Sequence, residues 1–138
     1  MAPPRPVLVV SGRHRPHEML LLAFSVLIGA AYTLGSPPPQ SVVAQVYPAL
    51  VHLWSAGLLV SGLLGLGALL APLRLDVTLA LEAGAMLIGA AALVIAAAAI
   101  FEYNGAAKGL FGGGFCIAWM LANVARAALA WRDRRELT

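Results

Sequence analysis

Three polar side chains lie within long apolar runs of this sequence, and they have the clearest potential for chemistry. Glu82 lies near the start of TLALEAGAMLIGAAALVIAAAAIFE, residues 78–102, and Asn123 and Arg126 lie in the next apolar run. Charged side chains in such runs are costly and are therefore functional candidates. A carboxylate and a guanidinium could form a structural ion pair, or they could belong to a path for ions or protons.

The composition indicates the environment in which these residues must work. Of the 138 residues, 61% are hydrophobic and 11% are charged, and the mean hydropathy is +0.87. Soluble domains have about 25% charged residues, so this excess of apolar surface predicts a protein of the lipid bilayer. The basic residues fall at the ends of apolar runs, which favours lipid headgroups over nucleic acid as their partners.

Four apolar runs predict an all-α protein, an integral membrane four-helix bundle. The predicted helices cover residues 19–34, 49–73, 77–101 and 106–131. A membrane span needs about 20 residues, so the first run is short, and Asn123 and Arg126 interrupt the fourth. Together these runs form one predicted membrane domain, residues 19–131.

Residues that break or start helices separate the four runs. The prolines at 37–39 end the first run, and Pro48 can open the second. Asp76 is predicted to cap the third helix through its side chain. Asn104 and Gly105 are predicted to end it, because both residues tolerate the left-handed backbone conformation.

The distribution of positive charge predicts the orientation. Seven of the nine lysines and arginines lie on one side of the predicted spans: Arg5, Arg13, Arg15, Arg74, Arg132, Arg134 and Arg135. The positive-inside rule then places both termini in the cytoplasm, with helices antiparallel, up and down, in the inner (cytoplasmic) membrane. Residues 1–18 are predicted to be a mobile, basic, proline-rich tail, and residues 132–138 a basic cytoplasmic tail.

An alternative interpretation treats the first run as a cleaved signal peptide. It has a basic segment before it, an apolar centre and a patch of small residues at 29–31. The sequence leaves this alternative open.

Helical spacing predicts where Glu82 points. The residues on its face are small: Ala85, Gly89, Ala92, Ala96 and Ala99. In a membrane, a face of small residues is where another helix approaches closely, so Glu82 should point into the bundle. Glu82 and Arg126 lie at matching depths, about 7–8 Å inside their helix ends. We therefore predict a polar network of Glu82, Arg126 and Asn123, acting as a structural clamp or as an ion path.

Other small residues predict helix contacts, and aromatic residues predict the membrane–water interface. We expect packing through Gly57, Ser61 and Gly65 of the second helix and through Ala85 and Gly89 of the third, which also suits a homo-oligomer or a complex with another membrane protein. The expected interface anchors are Trp54, Tyr103 and Trp131.

No pattern in the sequence predicts catalysis, a cofactor or a metal. His14, His17 and Glu18 lack the further ligands that a metal site needs, and the glycines at 112–114 lack the lysine of a phosphate loop. Cys116 is the single cysteine and is expected to behave as a small apolar residue. We expect a protein that is not an enzyme and binds no cofactor.

Several segments resemble small four-span membrane proteins encoded by actinobacterial bacteriophages. They are the arginine- and proline-rich start, LLLAFSVLIGAAYTLGSPPPQS, VHLWSAGLLVSGLLGLGALLAP, LALEAGAM and ANVARAALAWRDRREL, within residues 13–136. The resemblance implies a phage membrane protein of undefined or holin-like function and supplies no catalytic residue.

Three functions follow from these observations. The first is a non-enzymatic membrane protein that acts through helix packing or oligomerisation. The second is a holin, which opens lethal holes in the inner membrane. The third is a small ion-coupled transporter using Glu82, although an arginine partner would favour the charged carboxylate and hinder proton exchange.

Overall fold

The computed structural model describes residues 16–136, and this part of the chain is helical without any strand. The prediction of an all-α protein is therefore confirmed. Three of the helices are long and apolar enough to cross a membrane. In chain order the helices are α1 (Pro16–Thr33), α2 (Gln40–Val43), α3 (Pro48–Leu70) and α4 (Leu75–Arg135).

Helix α1 begins earlier than the sequence predicts. Residues 16–18, assigned to the tail, form its first turn, while residues 1–15 lie outside the described part of the chain. Proline suits a first helical turn because its missing N–H would have no partner there. The helix closes with Leu34 N donating to the Ala30 carbonyl at 2.8 Å, followed by Gly35 at a φ of 107°.

The connection between α1 and α3 contains the short helix α2, which the sequence did not predict. Its first hydrogen bonds run from the backbone N–H groups of Val42 and Val43 to the Pro39 carbonyl, at 2.9 and 3.1 Å. Val42 is buried and packs in a cluster with Trp54 and Leu58 of α3. Helix α2 therefore covers one end of the packed helices.

Helices α1 and α3 cross at very short range because glycines lie at the crossing. A Cβ atom at Gly62 would lie 2.7 Å from the Leu22 carbonyl oxygen and 2.8 Å from Val26 N. A Cβ atom at Gly29 would collide with the backbone of Leu59. Close approach of this kind gains van der Waals contact, which is a principal source of helix association in lipid.

Helix α4 consists of two helical arms, residues 75–104 and 106–135, broken at Gly105. Gly105 has φ 72° and ψ 168°, which is not the left-handed helical conformation that the sequence predicted, and Asn104 has no positive φ. The start of α4 also differs: Arg74 is the N-cap without a side-chain hydrogen bond, and Asp76 instead pairs with Arg74 at 3.3 Å.

The second arm folds back along the first. Near the break, Gly113 packs against the ring of Phe101, and a Cβ atom there would lie 2.5 Å from a ring carbon. Further along, a Cβ atom at Gly89 would lie 3.0 Å from Asn123 Nδ2. The residues expected to face inward, Ala85, Gly89, Ala92, Ala96 and Ala99, are all buried, whereas Leu87 and Val94 are exposed.

Many interior side chains are small and some are polar, whereas large apolar side chains cover the outer surface. Leu27, Leu63, Leu87 and Phe111 are each more than half exposed. Serines and a glutamate are instead buried. A soluble protein has the opposite arrangement of large apolar and charged side chains. This arrangement suits a protein whose outer surface contacts lipid.

Candidate functional site

The candidate site begins with Glu82, on the inward face of the first arm of α4. Its side chain is 4% exposed, and it lies one helical turn before the buried Ala85 and Met86. The rotation of this arm follows from its sequence: the small residues allow close helix contact, and the large ones face outward. Glu82 points inward because it lies on the helix face that is formed by small residues.

Arg126, on the second arm, provides the charge opposite to Glu82. Its Nε atom lies 2.5 Å from Glu82 Oε1, and its side chain is 19% exposed. The two residues lie on opposite arms, so their contact joins the arms far from the break at Gly105. An ion pair between buried partners greatly lowers the cost of burying either charge, and removing one partner leaves the other uncompensated.

Glu18 is a third member of the site, which the sequence analysis missed. Its Oε1 atom lies 3.8 Å from Arg126 Nε, and its side chain is 14% exposed. Glu18 lies in the first turn of α1, so Arg126 links α1 to both arms of α4. The signal was present at helical spacing, since Glu18 shares a face with the buried residues Leu22, Ser25 and Gly29.

Glu18, Glu82 and Arg126 form an ion cluster in which α1 meets both arms of α4. The amino-terminal end of α1 favours the carboxylate of Glu18, which lies in its first turn, because a helix amino terminus carries partial positive charge. His17, the neighbour of Glu18, is exposed and lines a small cavity beside the ion cluster.

Asn123 lies one turn from Arg126 and extends the polar region toward α3. Gly89 separates Asn123 from Ser61, since a Cβ atom at Gly89 would lie 3.0 Å from Asn123 Nδ2 and 2.5 Å from Ser61 Oγ. Ser61 Oγ donates a 2.8 Å hydrogen bond to the Ala85 carbonyl oxygen, which joins α3 to α4. The predicted network residues are thus brought into one region.

A small cavity of about 80 Å³ lies against the ion cluster. Two members of the cluster, Glu18 and Arg126, line it, and its other polar lining includes Ser25, Ser61 and Asn123. A water molecule takes up about 30 Å³ in the liquid and needs two to four polar partners, so this cavity has the size and the polar groups to hold water. The arrangement can therefore hold helices together and can hold water beside the ion cluster.

The residues predicted for helix packing lie at helix contacts. A Cβ atom at Gly57 would lie 3.3 Å from Ala92 Cβ, and one at Gly65 would lie 2.5 Å from a Leu22 methyl carbon. Ala85 is fully buried, and Ser61 lies against Gly89. Gly62, which the sequence analysis did not single out, meets the backbone of α1, whereas Gly65 meets a side chain.

The three predicted interface anchors have different surroundings. Tyr103 and Trp131 are 45% and 48% exposed, and Arg134 lies 5.5 Å from the centre of the Trp131 ring. Trp54, in contrast, is buried and stacks on Tyr32 with 5.2 Å between ring centres. Trp54 shares a helix face with Leu58 and Ser61, and this face turns inward, so it is part of the interior.

Residues 16–136 contain no group of three histidine, cysteine or acidic side chains that could hold a metal ion. Within the same range, Cys116 is a free and partly buried thiol. His14, which the sequence analysis considered, lies outside the described residues.

Comparisons of the chain with protein-family models, with curated proteins and with solved structures found no match.

Proposed function

We propose that the chain is a non-enzymatic, multi-pass protein of the inner (cytoplasmic) membrane that acts through helix packing, with copies of itself or with another membrane protein. Its four spans are α1, α3 and the two arms of α4, arranged up and down with both termini in the cytoplasm. We also propose that the protein is encoded by a phage, on the sequence resemblance alone. The observation that carries the proposal is the Arg126 guanidinium between Glu18 and Glu82, which joins three of the four spans.

The ion cluster supports a structural role because its opposite charges lower the cost of burying one another. A charged residue at the centre of a span costs about 2.5–3.5 kcal/mol on insertion scales, and less toward the interface. Here each charge is mostly buried and faces an opposite charge, while the outside of the same helices is apolar. The helices therefore gain by staying together in lipid, where apolar surface alone gives no preference for association.

The proposed orientation rests on the arginines near the ion cluster. Arg74 precedes the first arm of α4, and Arg132, Arg134 and Arg135 end the second arm. All four lie toward the helix ends nearest the Glu82–Arg126 contact, whereas Lys108 lies near the break at Gly105. Positive residues concentrate on the cytoplasmic side of membrane proteins. Arg5, Arg13 and Arg15, which also support this orientation, lie outside the described residues.

The test of the proposed function is controlled expression in an actinobacterial host. Membrane potential, viability and release of a co-expressed cell-wall hydrolase are followed after induction. If the protein acts through helix packing, the cells should grow steadily and the chain should be found in the membrane fraction. Cross-linking in the membrane should then recover it joined to a second copy or to a partner protein. Sudden depolarisation with release of the hydrolase would reject this proposal in favour of a holin.

Ion coupling is the second candidate function, and the position of the ion cluster favours it. Glu18 and Arg126 line a cavity that has room for water, and ionisable side chains within membrane spans commonly mark ion pathways. Proton-coupled flux into vesicles should then fall in Glu82→Gln and in Glu18→Gln. Flux that persists in both variants would remove this candidate.

A further inference from the structure

An apolar groove lies on the outer surface where the two arms of α4 meet, away from the ion cluster. The end of the groove that carries the last arginines of α4 contains a depression of about 420 Å³. A second depression of about 320 Å³ lies closer to Gly105, lined by residues such as Val94, Phe101 and Ile117. Helical spacing puts the two depressions on one face of the paired arms, so together they follow the length of the helices.

Small residues from both arms form the floor of the groove and larger ones form its walls. Ala83, Ala127 and Ala128 keep the arms close and leave space above them, while Leu87 and Val124 rise on either side. The result is a narrow apolar channel that is open to the surrounding lipid. Its shape suits a flexible hydrocarbon chain.

Positive charge lies at one end of this channel. The charged side chains that line it, within residues 16–136, are Arg132 and Arg135, next to Trp131. Arg132 has a neighbour in Asp133, with 3.8 Å between Nε and Oδ1, but both side chains are more than half exposed, so the pair is weak. Guanidinium groups bind phosphate oxygens well because their N–H groups match the geometry of the anion.

The first depression is about as long as one lipid leaflet is deep. Arg135 and Val124 are separated by about 16 Å along the helix, at about 1.5 Å per residue. Half of a hydrocarbon core that is about 30 Å thick is about 15 Å. A phosphate at the arginines therefore places an acyl chain directly along the groove.

We infer that this groove binds an anionic glycerophospholipid, with its phosphate at Arg132 and Arg135 and one acyl chain over Ala128. The inference rests on the membrane location proposed above. A second copy of the chain in the same orientation would bring Arg132, Arg134 and Arg135 of both copies together, and like charges would repel. The charge of the groove thus favours an anionic lipid over self-association at this surface.

The test measures lipid preference in the full chain, reconstituted in phosphatidylcholine vesicles that contain brominated phosphatidylglycerol. Bromine quenches tryptophan fluorescence on contact, and Trp131 lies at the groove. Quenching by brominated phosphatidylcholine is the reference. The ratio of quenching by phosphatidylglycerol to quenching by phosphatidylcholine gives the preference for the anionic lipid. The groove should favour phosphatidylglycerol by about fivefold for each arginine that contacts it.

Two variants and one control make the outcome specific. Arg132→Gln with Arg135→Gln should abolish the preference, and Ala128→Phe should reduce it by filling the groove without changing charge. Arg74→Gln with Lys108→Gln removes the same charge from residues that do not line the groove and should keep the preference. Equal loss in this control, or no loss in the first variant, would overturn the lipid site. A chain that fails to enter vesicles of either composition would instead overturn the proposed membrane location.

Discussion

Glu82 Oε1 and Arg126 Nε lie 2.5 Å apart, and they join two helical arms whose only covalent connection is the break at Gly105. The contact lies far along both arms from that break, so it closes the helical hairpin at its open end. Its position makes the stability of the hairpin depend on charge compensation inside an otherwise apolar bundle.

Removing one partner of this ion pair should destabilise the bundle, and exchanging both should partly restore it. Among residues 16–136, Glu82→Ala leaves Arg126 facing the more distant Glu18, and breaking a buried pair in this way costs about 3–5 kcal/mol. Glu82→Arg combined with Arg126→Glu restores opposite charges on the two arms. The fraction of monodisperse protein in detergent and the free energy of unfolding measure both effects. If the exchanged pair is no better than Glu82→Arg alone, the two residues do not compensate each other.

The effect of changing Glu18 should depend on Glu82, because both carboxylates face Arg126. Glu18→Gln should cost about 1 kcal/mol more in a Glu82→Gln background than in the unchanged chain, because Arg126 then loses both of the carboxylates that it faces among residues 16–136. A double-mutant cycle measures this difference, and Glu102→Gln, at an exposed position, is the control. Additive effects would argue against a shared cluster.

Two glycines of α3 should respond in opposite ways to the same substitution. Gly62→Ala places a methyl group against the backbone of α1 and should cost about 1–3 kcal/mol through forced separation of the helices. Gly67→Ala meets nothing within 4 Å and should be neutral, or stabilising by up to about 1 kcal/mol, because alanine has the higher helix propensity. Thermal unfolding in detergent compares the two. Equal responses would mean that α1 and α3 do not cross at Gly62.

The break at Gly105 should require glycine specifically. With φ 72° and ψ 168°, this backbone conformation is nearly restricted to glycine and costs other residues about 1–3 kcal/mol. Nothing lies within 4 Å of a Cβ atom there, so Gly105→Ala tests the backbone alone, and Gly84→Ala is a matched control in regular helix with equally open space. Gly105→Asn should be no better tolerated, since asparagine favours a smaller ψ. Unchanged unfolding in both Gly105 variants would contradict the strained break.

Much of the candidate site follows from the sequence because its determinants are local. Helical spacing places Glu82 with Ala85 and Gly89 on one small face, and this face is buried. Counting residues from the ends of two neighbouring runs brings Glu82 and Arg126 to the same depth, and the structure has them in contact. Both features depend only on the helical repeat and on a reversal of the chain near Gly105.

The sequence by itself determined the helical class, the apolar outer surface and the inward face of the first arm of α4, because these depend on composition and on a repeat of 3.6 residues. Only the tertiary structure decided that Glu18 joins Arg126, that Trp54 lies inside against Tyr32, and that α1 crosses α3 at Gly62. These features depend on how α1 rotates and crosses its neighbours. That choice is made by contacts between residues far apart in the chain, which no local pattern encodes.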